Sequence, residues 1–463
     1  MTDVPFSVRG KRVVVVGAAR SGVAAAQLLV RRGATVTLTD ARPAIEDEHV
    51  LRDAGVALEL GGHQAATLAN ADLIVLSPGV PPQLPVIEAA RRAGIPVTGE
   101  LELASRWLRG RVVAITGTKG KSTTTTLTGR MLEAGGHHVL VGGNIGLALS
   151  AQVDASTEDT IHVIEASSFQ LESVATFRPW IAVLLNFSPD HLDRHADVNE
   201  YAAAKARIFA RQQPTDWAVL NADDPATLEI ARAAKSNRVL FSLAPAETAP
   251  QDGVVISGGT IVRRTARGEQ PLVPVSSVKL LGRHLLADVR AAAAVASLAG
   301  VDAAAMTKAV EGFSGLEHAL EAVAEIAGVR FVNDSKATNI DAARRAIESF
   351  GDGLVVVMGG KFKGGDFGDL RKPLADRHAT VIAIGEARPL IRDAFGTALP
   401  LHEAQDMAAA VRTAFASAAP GGTVLLAPAC ASFDMFRDYA ERGRVFKHEV
   451  RRLQESWNAM REQ

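Results

Sequence analysis

The 463-residue sequence has little cysteine, few aromatic residues and no excess of charge of either sign. Its single cysteine, Cys430, excludes an internal disulfide and fits a reducing cytosol. The net charge of −1 argues against sequence-independent binding of nucleic acid, which needs a positive surface. No hydrophobic run approaches the roughly 18 residues of a membrane helix, and residues 1–12 lack the apolar core of a signal peptide. We therefore expect a cytoplasmic protein without a nucleic-acid or membrane partner.

Three successive α/β blocks are predicted from the alternation of apolar strands with helices. The first block has strands at 12–16, 35–39 and 73–76, with a helix at 23–32. The second has strands at 112–116, 161–165, 181–187 and 217–221, small β-strands within 242–280 and a helix at 283–299. The third has strands at 330–333, 354–358, 380–384 and 423–427, and a last helix from about 436. This order predicts an α/β fold of parallel sheets with right-handed crossovers.

The segment Gly117-Thr118-Lys119-Gly120-Lys121-Ser122 follows a predicted strand and opens a predicted helix. Backbone N–H groups in such a loop converge on phosphate oxygens, and the helix N-terminus adds partial positive charge. Lys121 can reach the β- and γ-phosphates, and the Ser122 hydroxyl can ligate Mg²⁺. The pattern is the short GxxGK[ST] variant, because Ile115 stands where the strict pattern has a glycine. The loop predicts an ATP-dependent enzyme; the alternative is a tight turn with a solvated lysine.

A second glycine turn, Gly17-Ala18-Ala19-Arg20-Ser21-Gly22, follows the first strand. It resembles a dinucleotide fingerprint whose middle glycine is replaced by Ala19, and Asp40 stands near the usual spacing of a ribose-binding acid. The alternative prediction of a nicotinamide-dependent oxidoreductase rests on this turn alone. We favour a nucleotide fold without nicotinamide, and a uridine diphosphate group could use the same helix N-terminus.

Candidate metal ligands follow two further strands. Glu165 ends an apolar strand, where a carboxylate faces the crevice of an open α/β sheet and suits Mg²⁺, unless it is a solvated acid near a helix cap. Asp190 and His191 follow another strand, where they could hold a second cation, although a lone histidine is often structural. Lys205 lies in a predicted helix as either a surface lysine or a buried one. A buried lysine has a lowered pKa and could react with CO₂ to give a bidentate carbamate.

Together these motifs resemble the Mur ligase family along essentially the whole chain. The resemblance is carried by the phosphate loop with its threonine-rich helix start, the Lys205 segment and the segments 143–146 (GNIG), 165–172 (EASSFQLE), 190–194, 333–339 (NDSKATN) and 428–433 (PACASF). The last two are specific to the branch that adds glutamate. The resemblance implies a Rossmann-like UDP-binding domain at 1–99, a P-loop-type central ATPase domain with a parallel sheet at 100–315 and a C-terminal Rossmann-like α/β domain at 316–463 for the amino acid.

The resemblance also implies roles for individual residues of a monomer acting on small molecules. Lys121, His191 and Lys205 would be catalytic. ATP would contact Gly117, Thr118, Lys119, Gly120, Lys121, Ser122, Thr123, Asp334 and Lys336. UDP-N-acetylmuramoyl-L-alanine would contact Ser21, Arg42, Ser77, Asn144 and His191. Glutamate would contact Thr338, Lys363, Ser432, Phe433 and Tyr439, the last at a position where the family often has phenylalanine. One Mg²⁺ would be held by Ser122 and Glu165, and a second by His191 and carbamylated Lys205.

The sequence departs from the family pattern in three ways. Ala319 stands in place of an arginine on the γ-phosphate, Leu285 and Asp288 replace asparagines near the adenine, and Lys361 replaces an aspartate. These changes leave open a divergent branch that adds L-glutamate, and Ala319 leaves open a non-catalytic nucleotide-gated protein. Another ligase of the family, such as a folate polyglutamate synthase or another stem-peptide ligase, is a further alternative, against which the NDSKATN and PACASF segments argue. Cys430 has no evident histidine partner in the sequence, so we expect it to pack in the core.

Overall fold

The computed structural model describes residues 6–45, 48–190, 194–245, 248–278, 283–313, 315–396 and 398–461. These residues form two compact units. The first unit contains the described residues up to 278 together with 284–312, and the second contains residue 283 and those from 313 onward. The described residues include no helix that combines the length and the apolar composition needed to cross a bilayer.

The first sheet lies in the first unit and has five parallel strands in the order β3-β2-β1-β4-β5. The strands are β1 (Arg12–Val16), β2 (Thr35–Asp40), β3 (Ala57–Leu60), β4 (Leu73–Leu76) and β5 (Val97–Gly99). The helices are α1 (Arg20–Arg31), α2 (Glu48–Asp53), α3 (Ala65–Ala69), α4 (Pro85–Arg92) and α5 (Glu100–Ser105). Four of the five residues of β1 are buried, as expected for the central strand of a parallel sheet. The strand order is that of a Rossmann-like nucleotide fold.

The second sheet, also in the first unit, has nine strands in the order β14-β13-β12-β11-β10-β9-β6-β8-β7. The strands are β6 (Arg111–Thr116), β7 (His138–Gly143), β8 (Thr160–Glu165), β9 (Ile181–Leu184), β10 (Trp217–Asn221), β11 (Asn237–Phe241), β12 (Gly253–Ser257), β13 (Thr260–Thr265) and β14 (Gly268–Pro274). The helices are α6 (Lys121–Ala134), α7 (Leu149–Gln152), α8 (Ser168–Leu171), α9 (Val198–Ala206), α10 (Pro225–Ile230), α11 (Arg283–Leu298) and α12 (Ala303–Glu311). Strands β12 to β14 pair antiparallel and the others pair parallel.

The third sheet forms the second unit, with strand order β15-β16-β20-β17-β18-β19. The strands are β15 (Glu321–Ile326), β16 (Val329–Asn333), β17 (Leu354–Gly359), β18 (Thr380–Ile384), β19 (Leu401–Glu403) and β20 (Thr423–Leu426). The helices are α13 (Ile340–Glu348), α14 (Arg371–Ala375), α15 (Arg388–Phe395), α16 (Met407–Ser417) and α17 (Tyr439–Arg461). Only β15 among the described strands of this sheet runs antiparallel to its neighbour. The three sheets confirm the predicted α/β fold class.

Several predicted boundaries were wrong. Helix α1 begins at Arg20 rather than at residue 23, because its extended N-cap, Ala19, makes no side-chain capping bond that a sequence pattern could reveal. Strand β9 ends at Leu184 rather than at residue 187, since the chain beyond it turns to hold the phosphate loop. The last helix begins at Tyr439 rather than near 436.

Candidate active site

The segment Gly117–Gly120 connects the buried strand β6 to the N-terminus of α6, as predicted. Gly120 has a left-handed backbone (φ 82°), and a Cβ atom there would lie 2.2 Å from Asp288 Oδ1. Lys121 is the first residue of α6, and its Nζ donates to the carbonyls of Gly117 at 3.1 Å and Thr118 at 3.0 Å. The loop therefore has the geometry of a phosphate-binding turn with a lysine ammonium beside its backbone.

Asn186 holds this loop, a role that the sequence pattern did not reveal. Its Oδ1 accepts from the backbone N–H groups of Thr118 at 3.1 Å and Lys119 at 2.9 Å. Its Nδ2 donates to the Lys119 carbonyl at 3.0 Å. Strand β9 neighbours β6 in the sheet, which places the residue after β9 beside the loop after β6. An asparagine shortly after the strand next to a phosphate loop is the signal that could have found it.

Lys205 lies in α9 directly beneath the loop and is 1% exposed. Its Nζ donates to the Gly117 carbonyl at 2.8 Å and lies 4.6 Å from the centre of the Tyr201 ring. Burial, together with repulsion from the Lys121 charge, lowers the pKa of Lys205 well below its usual value. The surface-lysine alternative is therefore wrong, and the neutral amine is the form that reacts with CO₂.

Glu165 ends β8, the other neighbour of β6, and is 2% exposed. Its Oε1 accepts from Asn144 Nδ2 at 2.7 Å, whereas its Oε2 is buried and has no hydrogen-bond partner among the described residues. Two residues that the resemblance assigned to different ligands are thus in direct contact. A buried carboxylate oxygen without a partner is costly, and a hard cation is the kind of ligand that would satisfy it.

Asp190 and Lys119 form an ion pair at 3.3 Å at the edge of the loop. Asp190 therefore lies next to the phosphate loop, and its predicted part in a second cation site stays a prediction. His191, which the resemblance assigned to the second metal and to the sugar substrate, lies outside the described residues.

The Gly17 turn has the shape of a nucleotide loop, but its acidic residue is already bonded. Asp40 accepts from the Ala18 N–H at 2.6 Å and from the Arg42 guanidinium at 2.9 and 3.0 Å. The guanidinium holds the pKa of Asp40 well below its usual range. Ser77 Oγ donates to the Gly17 carbonyl at 2.7 Å, and Ser21 lies in the first turn of α1. With both its oxygens bonded, Asp40 is not arranged to receive a ribose hydroxyl, which argues against the nicotinamide alternative.

A cleft in the first unit is lined by the segment that follows β4 and by the EASSFQLE segment. Ser77 and Phe169 both line this cleft. Arg194 lies over the Phe169 ring at 4.5 Å and donates to the Val80 carbonyl at 2.9 Å. The cleft therefore offers hydroxyl, aromatic and cationic groups to a polar ligand.

The predicted amino-acid residues follow three neighbouring strands of the second unit. Thr338 follows β16, Lys363 follows β17, and Ser432 and Phe433 follow β20, while Tyr439 begins α17. These strands are adjacent and parallel in the order β16-β20-β17, so their following loops lie at one edge of the sheet. Phe433 and Tyr439 are exposed at this edge.

Asp334 and Lys336, predicted on the nucleotide side, lie at the same edge of the second unit. Asp334 Oδ1 accepts from the Leu320 N–H at 3.2 Å, and burial raises the pKa of Asp334 to about 7. His318 lies before the position where the resemblance expects arginine, and its Nδ1 is 2.9 Å from Asn333 Nδ2. Ala319 itself offers only a methyl group.

The departures at α11 place a carboxyl group where an amide was expected. Asp288 is 4% exposed, its Oδ2 has no hydrogen-bond partner among the described residues, and burial raises its pKa well above the usual range. The raised pKa favours the protonated carboxyl, which has the shape of the amide that it replaces. Leu285 is buried and apolar, so it supplies no equivalent group.

Cys430 is fully buried, and burial raises the pKa of its thiol to about 12. The thiolate needed for a nucleophile is therefore disfavoured, and the expected packing role is confirmed.

Comparison with known proteins agrees with this geometry. Three protein-family models match the chain. The model described as "Mur ligase MurD-like, N-terminal domain" matches residues 11–99, the "Mur ligase middle domain" matches 115–296, and the "Mur ligase, glutamate ligase domain" matches 318–430. A UDP-N-acetylmuramoylalanine–D-glutamate ligase from Acidobacterium capsulatum is 48% identical over 447 residues, which cover 96% of each chain. One from Koribacter versatilis is 44% identical over 453 residues, 97% of this chain and 99% of the relative.

The fold is also found in solved structures. A MurF ligase from Thermotoga maritima, determined in complex with ADP, superposes with a TM-score of 0.57 at 18% identity, covering 98% of this chain and 100% of that one. The matched domains span most of the sequence, and the relatives align with nearly all of it. The family membership predicted from the motifs is therefore confirmed: this chain belongs to the Mur ligase family.

Proposed function

We propose that this chain joins D-glutamate to UDP-N-acetylmuramoyl-L-alanine in peptidoglycan precursor synthesis, with conversion of ATP to ADP and phosphate. The observation that carries the proposal is the phosphate loop at Gly117–Ser122 together with two buried side chains beside it. One is Glu165, whose Oε2 has no hydrogen-bond partner among the described residues, and the other is Lys205, whose pKa is lowered by burial. The relatives at 48% and 44% identity are both named D-glutamate ligases, which favours D- over L-glutamate.

The reaction proceeds in two steps. The terminal alanine carboxylate attacks the γ-phosphorus of ATP, the bond to the β-phosphate oxygen breaks, and ADP leaves with formation of an acyl phosphate. The amine of glutamate then attacks the carbonyl carbon, and the tetrahedral intermediate expels phosphate as the amine loses its proton. Lys121 and the backbone N–H groups at the N-terminus of α6 stabilise charge on the transferred phosphoryl group, which is the main task of a protein in such a transfer.

We assign two Mg²⁺ ions to this site, and the described residues supply oxygen ligands for the first. Ser122, in the first turn of α6, and the buried Oε2 of Glu165 are oxygen ligands, and Asn144 fixes the orientation of the carboxylate. Lys205 loses a proton on forming its N–C bond with CO₂, and the resulting carbamate would serve the second ion with His191. When bound, Mg²⁺ neutralises the phosphate oxygens of ATP.

We assign the substrates to the three domains as follows. The domain at 1–99 binds the uridine diphosphate through Ser21, Arg42 and Ser77, and Asn144 contacts the muramoyl-alanine end of the same substrate. The domain at 100–315 binds ATP through residues 117–123. The domain at 316–463 binds glutamate through Thr338, Lys363, Ser432, Phe433 and Tyr439, and supplies Asp334 and Lys336 to the nucleotide.

The test is release of phosphate by the purified chain supplied with ATP, Mg²⁺ and UDP-N-acetylmuramoyl-L-alanine, run separately with D- and L-glutamate. We expect release with D-glutamate and little with L-glutamate. Lys121→Ala should lower kcat by about 10²–10³-fold, the usual cost of removing one electrostatic donor. The control is Lys235→Ala, which removes an exposed lysine that is not among the proposed site residues.

Glu165→Gln provides a second arm. The amide can still accept from Asn144, but it replaces the anionic oxygen with an NH₂ group. We expect the Mg²⁺ concentration for half-maximal activity to rise about tenfold or more. A normal Mg²⁺ dependence would remove Glu165 from the metal site.

A further inference from the structure

A buried arginine that belongs to none of the sequence motifs lies in the first turn of α17. Arg442 is 1% exposed, although it carries one of the largest and most polar side chains in the protein. Its Nε donates to Ser335 Oγ at 2.9 Å and its Nη2 donates to the Ser335 carbonyl at 2.9 Å. Its Nη1 donates to the carbonyls of Cys430 at 3.1 Å and Ala431 at 3.3 Å.

These acceptors belong to two of the loops that carry the proposed glutamate residues. Ser335 is in the loop after β16, three residues before Thr338. Cys430 and Ala431 are in the loop after β20, immediately before Ser432. One guanidinium therefore joins two loops that are far apart in sequence.

The third loop, after β17, is hydrogen-bonded to the loop after β20 and approaches the same guanidinium closely. Gly360 approaches so closely that a Cβ atom there would lie 3.2 Å from Arg442 Nη1 and 2.2 Å from the Ala431 carbonyl. Lys361 and Ala431 exchange two backbone hydrogen bonds, at 2.9 and 3.0 Å. Lys363 follows two residues later. The guanidinium thus lies under all three loops at the carboxyl ends of β16, β20 and β17.

The charge of Arg442 is not matched by a bonded anion. All four of its hydrogen bonds go to neutral oxygens, and among the described residues no carboxylate is ion-paired with it. Burial lowers its pKa to about 10, so the group stays cationic at neutral pH. The charge of the Asp434 carboxylate raises the pKa of Arg442, but Asp434 accepts its hydrogen bond from the Glu386 N–H at 2.9 Å and not from the guanidinium. A buried cation without a paired anion favours an anionic ligand nearby.

We propose that Arg442 is the positioning residue of the amino-acid site: it keeps the three loops in register and supplies positive potential that favours a dicarboxylate amino acid. The proposal rests on the proposed function, because it takes glutamate as the amino acid. Arg442 acts through Ser335, Cys430 and Ala431 rather than by contact with substrate.

The test compares Arg442→Met and Arg442→Lys with the wild type in the phosphate-release assay. Arg442→Met should raise the KM for D-glutamate about tenfold or more, with the KM for UDP-N-acetylmuramoyl-L-alanine within about twofold of wild type. Arg442→Lys, which keeps the charge but not the planar fork, should fall between them. Arg444→Met, at an exposed arginine of the same helix, should leave all KM values unchanged.

Hydrogen exchange gives a readout that needs no turnover. Loss of the guanidinium should increase exchange at the Lys361 and Ala431 amides, which bond across two of the loops, while the amides of the first unit stay protected. An inactive wild type would count against the proposed function. The exchange comparison would still test whether Arg442 holds the loops together, because it needs no turnover. An unchanged D-glutamate KM in a folded Arg442→Met protein, or equal increases in the KM of every substrate, overturns the inference. If Arg442→Met does not fold, Arg442→Lys is judged by the same criteria.

Discussion

The phosphate loop predicts a large difference between two chemically identical substitutions at the two ends of α6. Gly120 and Gly136 both have φ of 82°. A Cβ atom at Gly120 would lie 2.2 Å from Asp288 Oδ1, whereas a Cβ atom at Gly136 would meet no atom within 4 Å. Gly120→Ala and Gly136→Ala therefore share the cost of a left-handed alanine, and only Gly120→Ala adds a collision under the phosphate loop.

The expected magnitudes follow from these two terms. A left-handed alanine costs roughly 1–2 kcal/mol, so Gly136→Ala should lower the free energy of unfolding by about that amount. Gly120→Ala should cost about 1–3 kcal/mol more, because buried Asp288 must move by about 1 Å. A displacement of this size at a reacting site can lower kcat/KM by about 10²-fold. Gly136→Ala should leave kcat/KM near the wild-type value.

The assay is phosphate release at varied ATP concentration, with denaturant unfolding of the first unit followed in parallel. Because both variants are measured below their unfolding transitions, loss of activity in Gly120→Ala alone reports the geometry of the loop. Equal activity in the two variants would refute the reasoning, as would normal ATP binding by Gly120→Ala.

Three further predictions concern other parts of the molecule. Lys205→Met should lower kcat about 10²-fold or more, and the wild type should lose activity in CO₂-free buffer and regain it with bicarbonate; activity independent of CO₂ would count against a carbamate. Lys363→Ala should raise the KM for glutamate with little change in that for ATP, and an unchanged glutamate KM would remove Lys363 from the pocket. Burial lowers the pKa of His162 from 6.5 to about 4, so protons bind more tightly to the unfolded chain. Stability should therefore fall as pH decreases from about 6.5 to 4, by about 3 kcal/mol relative to His162→Gln in denaturant titrations; parallel pH profiles for the two proteins would contradict this.

The sequence was most informative where structure is set locally. The β-branched run before Gly117 and the helix after Gly120 were predicted to within a residue, because strand, turn and helix signals follow one another directly. Strand β7 and the antiparallel β15 were not predicted, because β7 carries the unusual ending Gly142-Gly143 and β15 mixes charged with small residues.

Contacts between distant segments were beyond a reading of motifs. The bond between Asn144 and Glu165 depends on β7 and β8 pairing in one register. The hydrogen bonds between Asn186 and the phosphate loop depend on β9 lying next to β6. Arg442 is one of 50 basic residues in the sequence, and only the folded chain shows that it is buried under three loops.

The most direct test of the account follows the oxygen atoms of the substrate. UDP-N-acetylmuramoyl-L-alanine with ¹⁸O in its alanine carboxylate is incubated with the enzyme, ATP, Mg²⁺ and D-glutamate, and the released phosphate is analysed by mass spectrometry. Phosphorylation of the carboxylate before displacement by the amine predicts one ¹⁸O atom in each released phosphate. Phosphate without label, or no ADP when all substrates are present, would contradict it.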